Sequence, residues 1–403
     1  MKEFKDKYKL KNKEHKNTFT LKELIFITGI FGLVVCIFTG VLVFTITNNG
    51  IFDKNLNDII KSYKEITNTY YKKIDNKSLA ASAIDGMYEF LGNKYSKHLD
   101  SEETTKMIDS LSNSYKGIGI QVYSDGNNYI IYDVIKNSES SKAGLKKNDI
   151  LRKINDTNIT KDISSEDIAN LINSSNKVHL IVERDSKELS FDIEVKNVVI
   201  PIVDSSLYKK NNKQIGYISI STFSKDSYSL FKEELELLEH RSIDSLIIDL
   251  RGNGGGYLSS AEEIADLFIK KGKTIYTLEF KDSKKEAIAK EDTYRTYPIV
   301  VLIDEGTASA SEVLALALKE SYGATLIGEQ SHGKAEVQLA STLSDDTMIK
   351  STVANWYSPN HNNINEVGIT PGIRVQQSLE YKVSGGLQGK DLQLESALEF
   401  ISK

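Results

Sequence analysis

The strongest constraint on this chain is a change of hydrophobic period near residue 200. From there apolar strand-like runs (QIGYISIS, DSLIIDL, PIVVLID, GATLIGE) alternate with helix-like stretches near Tyr228–Leu238, Leu258–Lys270 and Ala308–Lys319. Alternation of this kind predicts an α/β layer domain with a buried sheet, over residues 198–380. Residues 278–297 (LEFKDSKKEAIAKEDTYRTY) interrupt the pattern with charge and are expected to form a surface insertion.

Upstream the chain has a different texture. Residues 114–197 carry short β runs (GIGIQVY, NYIIYDVI, DILRKIND, KVHLIVER, ELSFDIEV) with helix-like SSKAGL and SEDIANLIN between them, which predicts a small, mostly β domain. Residues 47–113 read as a helical region, because LNDIIKSYKEITNTYYKKI and LAASAIDGMYEFLG repeat apolar residues at i, i+3, i+4. A helical tail is expected over 381–403.

Composition limits the function classes. With 40% hydrophobic and 27% charged residues among 403, the chain has the material for real cores and is no disordered or collagen-like protein. A net charge of -5 argues against nucleic acid as a partner. The single cysteine, Cys36, excludes a disulfide framework and any multi-cysteine metal site. Leu24 to Ile46 is uncharged over 23 residues. At about 1.5 Å per residue that run is long enough to cross a hydrocarbon core of ~30 Å, so a transmembrane helix is expected at 24–46. A cleaved signal peptide fits less well, since no Ala-x-Ala site follows the run. Residues 1–23 hold eight lysines against four acids, so the positive-inside rule makes them a cytoplasmic tail. The expectation is therefore a single-pass protein of the cell membrane, with the rest of the chain, the α/β domain included, extracytoplasmic.

Three clusters in the α/β part carry chemistry. Asp249-Leu-Arg-Gly-Asn-Gly-Gly-Gly256 follows a strand, and its glycines let backbone N–H groups converge on an anion. A plain flexible turn would use the same residues. A dinucleotide fingerprint fails, because the third glycine would fall on Tyr257. Thr307-Ala-Ser-Ala-Ser-Glu312 opens a helix; Ser309 with Glu312 reads as a capping box, or as a serine hydroxyl at a helix N-terminus that favours an oxyanion. The third cluster is Gly333-Lys334-Ala-Glu-Val-Gln338. It resembles a P-loop only up to its lysine, since Ala335 stands where magnesium needs Ser or Thr. No HExxH occurs, no metal or other cofactor is called for, and of the six histidines only His332 lies near a cluster. A buried lysine can replace histidine as general base.

At these residues the chain resembles the C-terminal processing proteases, the tail-specific serine peptidases of the S41 type. The likeness rests on the run Ala-Ser-Ala-Ser-Glu after a strand, on the step of 25 residues from Ser309 to Lys334, and on Gln338 beyond it. The resemblance implies Ser309 as nucleophile, Lys334 as base and Gln338 as the residue orienting that lysine. It matches Arg251, Asn253, Gly255 and Gly256 to the family's Arg-x-Asn-x-Gly-Gly motif, and implies an oxyanion hole from the backbone N–H groups of Gly255 and Ala310. TVANWYSP and GITPGIRV also look like family strands. The β domain looks like the family's PDZ domain. There Gly117, Ile118, Gly119 and Ile120 would form the loop whose N–H groups hold a peptide's C-terminal carboxylate. Departures are Asn148 for a glycine in KAGLKKNDIL, Ala335 for a glycine, His332 for an aromatic residue, and Leu171–Asn176 without the family's Arg-Gly.

The expected protein is thus multidomain α/β: an N-terminal transmembrane helix, a helical region, a mostly β PDZ domain and an α/β catalytic domain of the crotonase/ClpP-like type. It would be a membrane-anchored serine endopeptidase acting through a Ser-Lys dyad and an acyl-enzyme. Its partners would be protein or peptide substrates with free C-termini, with a homodimer also compatible. The rival is a catalytically silent PDZ adaptor, against which the Ser309, Lys334 and Gln338 set argues.

Overall fold

The computed structural model describes residues 30, 33, 35–41, 53–292, 295–344, 346–384 and 389–403. It corrects the expectation of an N-terminal transmembrane helix at 24–46: among the described residues no helix is long and apolar enough to cross a membrane. A span requires about 20 consecutive apolar residues in one helix, and the described residues of that segment are Ile30, Leu33 and the stretch 35–41. The rest of 24–46 and the whole expected cytoplasmic tail, 1–23, lie outside the described residues.

The chain divides into two units, 1–87 and 88–403. In the first, α1 (Lys54–Thr69) starts where Asp53 accepts the N–H groups of Asn55 and Leu56, at 2.7 and 3.1 Å. A carboxylate suits this end of a helix, where N–H groups lack intrahelical partners. The next helix, α2 (Asn76–Phe90), starts at Asp75 in the same manner and runs into the second unit.

The second unit opens with β1 (Lys97–Leu99) and α3 (Ser101–Ser112). The β domain follows, from β2 (Ser114–Gly117), β3 (Ile120–Ser124), β4 (Tyr129–Val134), α4 (Glu139–Ala143), β5 (Ile150–Ile154), β6 (Thr157–Asn158), α5 (Ser165–Asn173), β7 (Lys177–Arg184) and β8 (Lys187–Glu194) to β9 (Lys196–Val199). Its sheet runs β3-β4-β5-β7-β8, with β6 beside β5, and β2 pairs separately with β9. Alternate residues such as Val178, Leu180 and Val182 point inward onto Ile131, Leu151, Ile168 and Ile193. Asn148, in place of a glycine, takes a left-handed φ of 73°, which asparagine tolerates better than most side chains.

The α/β part is a sheet of order β10 (Val203–Lys210), β11 (Lys213–Ile220), β12 (Ser245–Asp249), β15 (Ile299–Ile303), β16 (Thr325–Gly328), β19 (Ile373–Arg374). All its pairings are parallel except β10 with β11. Between these strands lie α6 (Ser227–His240), α7 (Leu258–Asp266), β13 (Thr274–Phe280), β14 (Lys284–Ile288) and α8 (Ala310–Ala317). Both faces are covered. Ile218, Ile248 and Val301 pack under α6, α7 and α8. Ile247, Val300, Leu302 and Ile327 face Ala397 and Ile401 of the last helix, α10 (Leu392–Ile401), which follows the short α9 (Leu379–Val383). A second sheet, β1-β18-β13-β14, has β17 (Glu336–Thr342) on the other side of β18 (Met348–Tyr357). Residues 278–297, read as an insertion, therefore supply part of a hairpin, with Ala287 and Ala289 in the core.

The last helix is tied to the first glycine cluster by a buried ion pair. Arg251 donates to Asp249 on its own strand end and to both oxygens of Asp391, at 2.7 and 2.8 Å. Burial alone would raise the Asp391 pKa, but the hydrogen bonds and charge of Arg251 hold it at about 2. A carboxylate depressed in the folded state stabilises above its unfolded pKa of ~3.9, and that stability is lost as pH falls toward its folded value. Asp391→Asn should lower the thermal midpoint at neutral pH and flatten its fall between pH ~4 and ~2, as measured by calorimetry across pH.

Candidate active site

Parallel strands that end in register bring their following loops to one edge of the sheet, the edge where α/β proteins place their ligands. Asp249 pairs with Leu302 and Ile303 with Gly328, so β12, β15 and β16 stop at one level. The three clusters found in the sequence, at 249–256, 307–312 and 333–338, are the loops that follow these strands. Their shared cleft, about 940 Å³, is lined by Gly255, Gly256, Ser309, Ala310, Lys334 and Gln338. Its far wall includes Met107, Ile108 and Leu111 of α3 and Met348, Lys350 and Trp356 of β18.

Ser309 sits on the turn between β15 and α8, with φ 56° and ψ -118°. A positive φ on serine costs on the order of 1–3 kcal/mol and persists only when its surroundings fix it. Glu312 does the fixing. Its carboxylate is completely buried and accepts from four donors: Ser309 N–H (2.8 Å), Lys334 N–H (2.9 Å), Gly333 N–H (2.7 Å) and Ser331 Oγ (2.6 Å). The Ser-x-x-Glu spacing seen in the sequence is thus the link between the Ser309 turn and the Lys334 loop. Two further bonds tie the loops: His332 N–H donates to Thr307 O at 3.0 Å, and Trp356 Nε1 to Lys334 O at 3.0 Å. The His332 side chain is exposed.

The glycine cluster is held against the Ser309 turn. Asn253, fully buried, accepts through its carbonyl from Ala308 N–H (3.0 Å) and Ser311 Oγ (2.9 Å). Gly255, with φ 104°, lies so close that a Cβ there would come within 2.9 Å of Ala308 O and 3.1 Å of Ala310 N. Its own N–H donates to Asn253 Oδ1 at 2.9 Å. No acceptor among the described residues takes up the Ala310 N–H.

Lys334 is half-buried. Desolvation lowers its pKa below the ordinary lysine value, and the nearby Lys350 charge adds to this against Glu336 and Glu312. Its Nζ lies over the Tyr95 ring, 4.7 Å from the centroid. Gln338 donates to Glu336 O (3.0 Å) and Thr352 Oγ1 (3.3 Å) rather than to the lysine. Tyr95 and Lys350 were not singled out in the sequence, and Thr352 only as the first residue of TVANWYSP; no spacing links Tyr95 to residue 334. In the β domain, Ile118 is buried in the core, and the carbonyls of Ile118 and Gly119 accept from Ser140 and Ile135. Gly117 ends β2 and Ile120 starts β3, so the loop spans the two strands. Among the described residues no group of His, Cys, Asp and Glu is placed to hold a metal ion.

Replacing Glu312 by Gln puts an amide, a donor, where one carboxylate oxygen accepted two bonds. Hydrogen bonds to a charged group are worth about 1.5–3 kcal/mol each. Glu312→Gln should lower the thermal midpoint by several degrees and slow phosphonylation of Ser309 by a fluorophosphonate, with loss of fluoride, at least ~100-fold. A full phosphonylation rate in the folded variant would show that the hub does not set the reactivity of Ser309.

Three comparisons bear on this arrangement. Sequence profiles match peptidase family S41 over residues 214–375, a PDZ domain over 116–195, and the N-terminal domain of the activating protease CtpB over 45–104. Carboxy-terminal processing protease CtpB of Bacillus subtilis is 37% identical over 343 residues, covering 84% of this chain and 71% of that protein. Carboxy-terminal processing protease CtpA of the same species is 34% identical, covering 80% and 70%. The photosystem II D1 C-terminal processing protease shares the fold with a TM-score of 0.51 at 21% identity, over 84% of this chain and 89% of that one. These matches, to a chain whose cleft holds a serine on a positive-φ turn and a half-buried lysine beside a PDZ domain, assign it to the carboxy-terminal processing proteases of peptidase family S41 and make it a serine-type peptidase.

Proposed function

We propose that this peptidase is an endopeptidase that cuts proteins recognised by their free C-termini, through a Ser309–Lys334 dyad and an acyl-enzyme. The observation that carries the reading is a half-buried lysine of lowered pKa opening into the same cleft as a serine on a strained turn. In the reaction Ser309 Oγ attacks the peptide carbonyl carbon while the neutral Lys334 amine takes its proton. The carbonyl oxygen becomes an oxyanion, for which the Ala310 N–H is the donor at hand; the Gly255 N–H joins it only by leaving Asn253 Oδ1, to which it donates at 2.9 Å. Collapse breaks the C–N bond, and the Lys334 ammonium gives its proton to the leaving amine. Water then attacks the ester, losing a proton to Lys334, and the released Ser309 takes that proton back. Gln338, two residues past Glu336 on β17, would orient the base once substrate fills the cleft.

Ser309→Ala and Lys334→Ala should each abolish cleavage with the thermal midpoint unchanged. The double variant should be scarcely worse than either, since the two groups act as one unit. Because the base works only when neutral, activity should rise with pH, with a midpoint below the ~10.4 of free lysine. Substantial turnover by folded Lys334→Ala would overturn the dyad.

The PDZ loop at Gly117–Ile120 supports tail recognition, since backbone N–H groups of such a loop satisfy a carboxylate. Substrates ending in a free apolar residue should be cut faster than the same peptides with amidated ends, measured below saturation. Equal rates would leave the PDZ domain as a spacer.

A further inference from the structure

The lysine assigned as base is not engaged with its nucleophile. Among the described residues no hydrogen bond joins Lys334 Nζ to Ser309 Oγ; the backbone of each is held by Glu312, while the amine stands 4.7 Å from the Tyr95 ring centroid. The face of an aromatic ring attracts an ammonium through its quadrupole and a neutral amine far less.

The ring is held by more than its chain neighbours. Asn93 Oδ1 accepts the N–H groups of Tyr95 (3.1 Å) and Ser96 (2.9 Å), fixing the turn. Asn93 Nδ2 donates to Glu336 Oε2 at 3.0 Å, and Thr352 Oγ1 donates back to Asn93 Oδ1 at 3.0 Å. Ser96 Oγ accepts Thr352 N–H at 2.9 Å. The turn is thus clamped to β17 and β18, the strands that carry Gln338 and Lys350. Thr352 Oγ1 also receives the Gln338 amide, so the clamp of Tyr95 and the partners of Gln338 share one hydroxyl.

We propose that Tyr95 is a positioning residue for the reaction: its ring is the resting seat of Lys334, holding the ammonium away from Ser309 in the free enzyme. The proposal rests on Lys334 being the base. The groups that face this amine are Lys350 from β18, Glu336 from β17 and Glu312 from α8. Lys94, on the turn itself, sits over the same ring at 4.9 Å and is paired with Glu366 at 3.7 Å. Lys350 and burial favour the neutral amine; Tyr95 opposes them. The seat therefore lowers activity near neutral pH and makes it depend on release of the lysine when a peptide enters the cleft.

The test uses the full chain with Tyr95→Leu, which removes the ring, and Tyr95→Phe, which keeps its face. In Tyr95→Leu the acidic limb of the kcat/KM profile should move to lower pH, raising the rate below that limb by about threefold, while Tyr95→Phe keeps the limb of the parent. An unmoved limb in the leucine variant, or an equal move in the phenylalanine variant, overturns the proposal. A second measurement needs no substitution at Tyr95. Lysines are reductively methylated with 13C, and the Lys334 signal is identified by its loss in Lys334→Ala. That signal should lie upfield of the other lysines through the ring current, and move back on unfolding. Its absence upfield overturns the seat. Its presence alongside full turnover of Lys334→Ala would instead refute the role of Lys334 as base and leave the seat standing.

Discussion

A carboxylate with no exposure to water must find its partners in the protein, and Glu312 finds four: three on the loop of Ser331, Gly333 and Lys334, and one on Ser309. Burying an ion without such partners would cost many kcal/mol, so the loops that supply the donors are held in place by the ion's demand for them. This sets the backbone of Ser309 and Lys334 in one frame. It also fixes the positive φ of Ser309, because the strained N–H points to an acceptor that cannot move without stranding three other donors.

The frame needs the parallel sheet beneath it. β12, β15 and β16 end level, so three loops distant in sequence begin from neighbouring points. Asn253 ties the first loop to the second, and Glu312 ties the second to the third. Arg251, itself paired to Asp249 and Asp391, anchors the first loop to the chain's last helix. Stability at the C-terminus and geometry at the site are therefore linked through one buried guanidinium. The second sheet closes the cleft from the other side, with Trp356 holding the carbonyl of Lys334.

Charge in the cleft is set by opposing groups rather than by one. Desolvation and Lys350 push the Lys334 amine toward its neutral form, while Glu336 and Glu312 pull the other way. Lys350 itself pairs across the sheet with Lys97, a like-charge arrangement that sheets ordinarily avoid. Burial and Lys97 lower its pKa in turn.

Much of this molecule was legible in sequence because its signals are local. The strand–helix alternation after residue 200 shows in its period and the glycine cluster occupies a short window, while the step from Ser309 to Lys334 took its meaning from the resemblance to a known family. The Ser-x-x-Glu spacing revealed that Ser309 and Glu312 would meet, but not that Glu312 would also bind residues 331–334, since that requires β16 to lie beside β15. The uncharged run at 24–46 satisfied a hydropathy rule, yet a span needs a continuous apolar helix, and the described residues contain none of that length. The charges of residues 278–297 disguised a hairpin because an edge strand such as β14 exposes most of its side chains. Tyr95, Thr352 and Lys350 come to the site only through pairing between strands far apart in the chain. Sequence by itself determined which residues could act, because chemistry belongs to side chains and their nearest neighbours. Tertiary structure decided which of them meet, because contact across a sheet depends on register, and register is a property of the whole fold.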